Sequence, residues 1–163
     1  MRHLSLLLAL CVLPAFGEKR PKVPPVVYNN VREIPASCDA VWGSVVPVVA
    51  KRGFMPESSD KAGGFMRLRY TRGDSTGMLA PEKDVKALTS HRRGALETFD
   101  GFRIAGGALS LVAAGEKCTA TVQFEYQVFR GWGNLQKGWF ALPSNNSLES
   151  RLLDELESAT VSR

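Results

Sequence analysis

Histidine and cysteine are the scarce residues of this chain, two and three among 163, and their scarcity removes most catalytic and metal chemistry at the outset. His3 and Cys11 fall within residues 1–17, leaving His91, Cys38 and Cys118 beyond them. A Ser-His-Asp or Cys-His arrangement would have to use His91. That ring stands beside Arg92 and Arg93 in a polar stretch, the setting of a solvated surface histidine rather than of a general base. One histidine and two distant cysteines give no metal-ligand spacing of the usual kind. No catalytic residue, no metal and no cofactor is therefore expected, and an enzyme is the remotest of the readings.

Long apolar runs are missing too. The longest, residues 4–12, is too short for a hydrocarbon core that needs roughly 20 apolar residues. It follows Arg2 and precedes Pro14-Ala15-Phe16-Gly17, so residues 1–17 read as a secretory signal peptide cut after Gly17. Leu8-Ala9-Leu10-Cys11 has the outline of a lipoprotein box, but the residue before the cysteine should be small and Leu10 is not. The expectation is an exported chain with no transmembrane segment once mature.

What remains fits one domain. With 44% hydrophobic and 23% charged residues, it can build a core, which excludes wholesale disorder. The formal charge of +5 falls by one when Arg2 leaves with the signal, and the residual excess favours anionic partners such as an envelope surface or an acidic protein face. Nucleic acid is not expected, because an exported domain rarely meets it. Cys38 and Cys118 can pair in an oxidising compartment or remain two small buried hydrophobes.

Residues 18–25 (Glu-Lys-Arg-Pro-Lys-Val-Pro-Pro) form a charged, proline-rich tether, and 26–160 the domain. A strand is predicted over 26–34, stopped by Pro35. Ser37 and Asp39 suit a helix start, and Val41, Trp42, Val45, Val48 and Val49 repeat at helical spacing up to about Arg52. Pro47 should kink that helix. Extended segments follow at 54–59 and 65–71, where Met66, Leu68 and Tyr70 alternate with Arg67 and Arg69. Residues 72–99 show no steady period beyond a helical turn or two within 82–89. Strands are predicted at 102–113, with a bulge at Gly106-Gly107, and at 118–129, joined by a turn at 114–117. In the second, Val122, Phe124, Tyr126 and Val128 share parity with Cys118 and should be buried. A short extended piece ends at Leu142. The last helix opens with Asn146 and Glu149 in capping-box spacing and buries Leu148, Leu152 and Leu156. Strand, helix, antiparallel strands, helix is the order of an α+β sheet with helices on one face.

Val41-Trp42, Val45, Val49, Arg52-Gly53-Phe54, Asp60, Gly64 and Arg69-Tyr70, with Trp139, Ser144-Asn145 and Leu148-Glu149 at the carboxyl end, resemble the repeat unit of the lipoprotein C subunit of the bacterial outer-membrane β-barrel assembly machinery. The resemblance implies a helix-grip fold, with an N-terminal helix and a C-terminal amphipathic helix gripping an antiparallel sheet. It also implies a non-catalytic accessory role in the cell envelope of a Gram-negative bacterium, periplasmic or associated with the outer membrane.

Three features suit binding. Arg92 and Arg93, together with Arg67 and Arg69, could meet an anionic surface, although solvated basic faces are common. Trp132 stands between Gly131 and Gly133 at a hairpin tip, where an exposed aromatic favours contact with a partner. Trp42 and Trp139 lie in segments that should pack. The pairs Glu82/Asp84 and Glu97/Asp100 read as solvating charges, and Gly101 to Gly106 lacks the Lys and Ser/Thr of a phosphate loop. Arg72-Gly73-Asp74 and Asn145-Asn146-Ser147 read as turn and cap as readily as adhesion tripeptide and glycosylation sequon. The leading expectation is an exported binding or assembly module recognising an envelope protein or anionic envelope surface. The alternative is a carrier holding an apolar ligand between the sheet and the C-terminal helix.

Overall fold

A computed structural model describes residues 27–71, 87–90, 101–130 and 138–162. The expected signal and tether lie outside the described residues, as do His91, Arg92, Arg93 and Trp132.

The strands are β1 (Val31–Ile34), β2 (Phe54–Asp60), β3 (Phe65–Tyr70), β4 (Gly101–Ala114), β5 (Lys117–Arg130) and β6 (Gly138–Leu142), with apolar and polar residues alternating most clearly in β3 and β5. Helix α1 is Cys38–Lys51 and helix α2 Ser147–Val161. The strands form one antiparallel sheet in the order β1-β5-β4-β3-β2, with β6 also paired to β5. On β5, Cys118, Ala120, Val122, Phe124, Tyr126 and Val128 are buried. They share one cluster with Met66 and Leu68 of β3, Val41, Val45 and Val49 of α1, and Leu152, Leu153 and Leu156 of α2. The other face carries Phe65, Val112 and Val31, all exposed. The α+β architecture, with one N-terminal and one C-terminal helix, agrees with the sequence reading.

Local chemistry accounts for the element ends. The Ser37 side chain accepts the Ala40 N–H at 3.3 Å and caps α1. The helix continues through Pro47, which removes one of its backbone hydrogen bonds. Both Pro47 and Gly43, whose carbonyl the proline leaves without its helical donor, are exposed, so water can satisfy that carbonyl. A two-residue turn, Gly115-Glu116, closes the β4–β5 hairpin with Gly115 at φ +66°.

Three expectations are corrected. The bulge falls at Ala105, between Ile104 (opposite Tyr126) and Gly106 (opposite Glu125), one residue before the glycine pair. Gly107 serves a different purpose: a Cβ there would lie 2.5 Å from the Phe124 ring, which is stacked on Phe54 at 4.5 Å between centroids. The first strand starts at Val31, not at residue 26. Its would-be first half leaves the sheet at the bend at Asn30, with the Tyr28 carbonyl accepting from Asn146 Nδ2 at 3.5 Å. Finally, Trp42 and Trp139 are half-buried rather than core residues.

Cys38, the first residue of α1, is joined to Cys118 near the start of β5, across a Cα separation of 4.9 Å and 80 positions of sequence. Closing so long a loop removes much of the freedom of the unfolded chain. Thiol titration of the signal-free protein, denatured without reductant, should detect no free thiol. Reduction should lower unfolding free energy by about 2–4 kcal/mol in urea titrations. Two titratable thiols in freshly isolated protein would contradict the bridge.

Candidate functional site: a gap in the sheet edge

β4 occupies one edge of β5, so β1 and β6, both antiparallel to β5, share the other edge and run the same way along it. β6 pairs from Arg130 to Tyr126, and β1 from Thr121 to Cys118. The Val122 N–H still reaches the Asn30 carbonyl at 2.9 Å. Among the described residues no strand lies beside 123–125 on this edge, a gap of about 10 Å at roughly 3.3 Å per residue.

Period two along the strand turns the N–H and C=O of Phe124 toward the gap, as it does those of Val122 and Tyr126. The Phe124 N–H is taken by a side chain, donating to Glu149 Oε1 at 3.3 Å. The carboxylate also accepts from Ser144 Oγ at 2.7 Å and, on Oε2, from the Tyr126 hydroxyl at 3.4 Å. Glu149 is fully buried, at 0% exposure. The capping box predicted for it does not form: Asn146 makes no side-chain cap and adopts a left-handed conformation at φ 62°. The Ser147 N–H is satisfied instead by Asn145 Oδ1 at 2.9 Å, and the Asn146 N–H by Ser144 Oγ at 2.8 Å.

Helical spacing carried the signal that the capping-box reading obscured. Glu149, Leu152, Leu153 and Leu156 follow i, i+3, i+4, i+7, and all four are buried, as are Ser147 and Thr160, while Leu148 is only half-buried.

The corner between β6 and α2 is pinned from outside by residues 87–90. Ser90 N–H donates to the Pro143 carbonyl at 3.1 Å and Asn145 N–H to that of Leu88 at 3.2 Å. Asn145 Nδ2 and Ser147 Oγ both reach the Ala87 carbonyl at 2.9 Å. Over this corner lies a notch of about 490 Å³, bordered by Asn30, Gln123, Glu125, Gln127, Ser144 and Asn146, with Phe124 and Tyr126 below. Polar groups share the border with Ala141, Leu142 and Pro143.

Of the basic residues singled out in the sequence, Arg67 pairs with Glu57 at 3.2 Å, and Arg69 is exposed on the same strand face. Neither borders the notch. Trp139 lies on the uncovered sheet face with the Arg103 guanidinium 4.1 Å from its ring centroid. Arg103 Nε and Nη2 both donate to Gln127 Oε1, at 2.9 and 2.7 Å.

Burial, reinforced by the negative charge of Glu149, raises the Tyr126 hydroxyl far above its ordinary range. Because the folded protein holds that proton more tightly than the unfolded chain, Tyr126 contributes stability that is complete below the unfolded pKa of about 10 and is lost as pH rises beyond it. Urea midpoints between pH 9 and pH 11.5 should fall, less steeply for Tyr126→Phe. At pH 7 that variant should cost about 1 kcal/mol for one lost hydrogen bond. Glu149→Ala strands three donors and should cost about 3–5 kcal/mol; a loss below 1 kcal/mol would show that the carboxylate is dispensable.

No family model and no curated protein matches this chain.

Proposed function

We propose that this chain is an exported, non-enzymatic binding or assembly module of the Gram-negative cell envelope, and that the notch in the sheet edge is part of its recognition surface. The leader-like first residues support export. The order of motifs resembling the helix-grip repeat of the outer-membrane assembly lipoprotein supports the accessory role. The observation that carries the reading is the contrast between interior and edge. Between the sheet and the two helices, the described residues form one cluster of apolar side chains at or near zero exposure. The polar notch opens at the surface.

That contrast favours a module over the carrier, which would need space between the sheet and α2 where Leu152, Leu153 and Leu156 are packed. It also disfavours Glu149 as a reacting group, since its carboxylate is enclosed and engaged by three donors. Among the described residues no helix is long and apolar enough to cross a membrane.

Mass spectrometry of the secreted form should find Glu18 at the amino terminus; a diacylglycerol-modified Cys11 would replace the signal-peptide reading with a lipoprotein one. Affinity capture from envelope extracts should retrieve a defined partner. Trp132→Ala should weaken that capture while changing stability by no more than about 0.5 kcal/mol, as surface substitutions do. Trp42→Ala should cost about 2 kcal/mol, less than the 3–5 typical of an enclosed tryptophan, because Trp42 is half-buried against the core. Unchanged capture by every variant together with loss of function in His91→Ala would point back to an enzyme.

A further inference from the structure

The two sulfurs of the Cys38–Cys118 bridge differ in what can reach them. Cys118 lies at 0% exposure on the buried face of β5, opposite Ile34 on one side and Ala113 on the other. Cys38 is half-buried at the first position of α1. It lines a surface hollow of about 340 Å³ together with Trp42, Lys61, Leu111 and Lys117, and Cys118 has no part in that lining. The nearby side-chain charges balance, since Lys61 is held by Asp39 at 2.7 Å and Lys117 by Glu33 at 2.9 Å. The end of α1 is not balanced in this way. Ser37 Oγ takes the Ala40 N–H, and the helix presents the positive end of its dipole beside Cys38.

We propose that Cys38 is a thiol–disulfide exchange site, the sulfur through which thiols and disulfides outside the domain open and close the bridge, with Cys118 as its resolving partner. This goes beyond the binding-module reading and does not depend on it. In the reductive direction a thiolate entering the hollow bonds to Cys38 Sγ. The Cys38–Cys118 bond breaks, and its electron pair leaves on Cys118, which takes up a proton. A second thiolate then attacks the outer sulfur of the mixed disulfide and displaces Cys38 as thiolate, so two thiols become one disulfide while the bridge becomes two thiols. In the oxidative direction the Cys38 thiolate attacks an outside disulfide and expels one half of it. Cys118 then bonds to Cys38 Sγ and expels the other half. Access and charge both assign the outward role to Cys38. A negative sulfur there rests in partial contact with water at the positive end of α1, whereas on Cys118 it would be stripped of water beside Ile34 and Ala120. With the two Cα atoms 4.9 Å apart, a displaced Cys118 stays within reach of Cys38, so the mixed disulfide persists only where Cys118 cannot return.

The test uses dithiothreitol and oxidised glutathione on the signal-free protein. In native wild type, dithiothreitol should open the bridge at a rate proportional to its concentration and nearly constant in urea below the unfolding transition, because entry through the hollow needs no global opening. A rate that climbs with urea as steeply as the unfolding equilibrium would overturn the proposal. Oxidised glutathione then reads which sulfur faces outward. Cys118→Ser, which cannot resolve, should accumulate glutathione on Cys38, whereas Cys38→Ser should leave Cys118 unmodified while folded. The two initial rates should differ by about tenfold or more, a preference of about 1.4 kcal/mol. Equal rates, or faster modification of Cys118, would overturn the assignment. Should either variant fail to fold, the urea dependence in wild type decides alone. Neither readout involves partner capture, so failure of the binding-module reading leaves the exchange site standing, and failure of the exchange site leaves the module.

Discussion

A carboxylate taken wholly out of water costs several kcal/mol unless its oxygens are satisfied, and Glu149 sits at 0% exposure in the first turn of α2, beneath the corner at Ser144. Three donors offset that cost, and each comes from a different structural level: a main-chain N–H of β5, a phenol from the buried face of the same strand, and a hydroxyl from the corner that leads into α2. Hydrogen bonds to charged groups contribute roughly 1.5–3 kcal/mol each, so the set is of the same order as the penalty. The net gain in stability is small, but the loss on misplacing α2 is large, because rotating or sliding the helix would separate the carboxylate from all three donors. The seat of the helix, the left-handed turn at Asn146 and the gap beside Phe124 depend on this one side chain. By accepting the Phe124 N–H it does for β5 what a neighbouring strand would otherwise do.

β5 is the strand from which the other parts are positioned. Its first residues are tied through Cys118 to the start of α1, its middle holds α2 through Glu149, and its end carries β6. Salt bridges add a lighter frame around the helices. Arg32 of β1 meets Asp154 and, at 2.7 Å, Glu157 of α2, and Arg52 after α1 meets Glu155. All are partly exposed, so each contributes no more than about 1 kcal/mol. They set the angle at which α2 crosses its neighbours, while the leucines of its inner face supply the burial.

The parts of the fold that were legible in the sequence are those where a single rule acts on consecutive residues. Alternation in β3 and β5 and the valine spacing of α1 gave the right elements and the right buried faces. The parts misread are those where two rules compete for one residue. Asn146 and Glu149 satisfy the spacing of a capping box, but Glu149 also lies on the leucine stripe, and the unpaired Phe124 N–H across the interface decides between them. No local pattern reports that distant donor. Residues 27–30 have strand composition, yet the end of β6 at Leu142 and the corner at Ser144 compete for the same edge of β5. Trp139 was expected to pack inward, and the register opposite Phe129 instead turns it to the uncovered face beside Arg103. Arg92, Arg93 and Trp132, the binding candidates of the sequence reading, lie outside the described residues, whereas the notch draws on residues that individually carry no motif.

Among the described residues the sheet has one uncovered face and two open edges, and each open edge is an invitation to pair with another strand. Here both are blunted. The β2 edge carries Pro56, which has no N–H to donate, followed by a register shift that leaves Glu57 out of the ladder. The opposite edge is built from two short strands laid in line and interrupted at residues 123–125. Neither offers the long row of free N–H and C=O groups that strand addition requires. A partner that binds at the broken edge must therefore be recognised by side-chain chemistry, in a space about three residues wide, more than by continuing the ladder. The same interruption that protects the sheet from edge-to-edge pairing leaves the Phe124 carbonyl turned to the gap and opens the notch at the surface, so protection of the edge and the presence of a recess there arise from one feature of the fold.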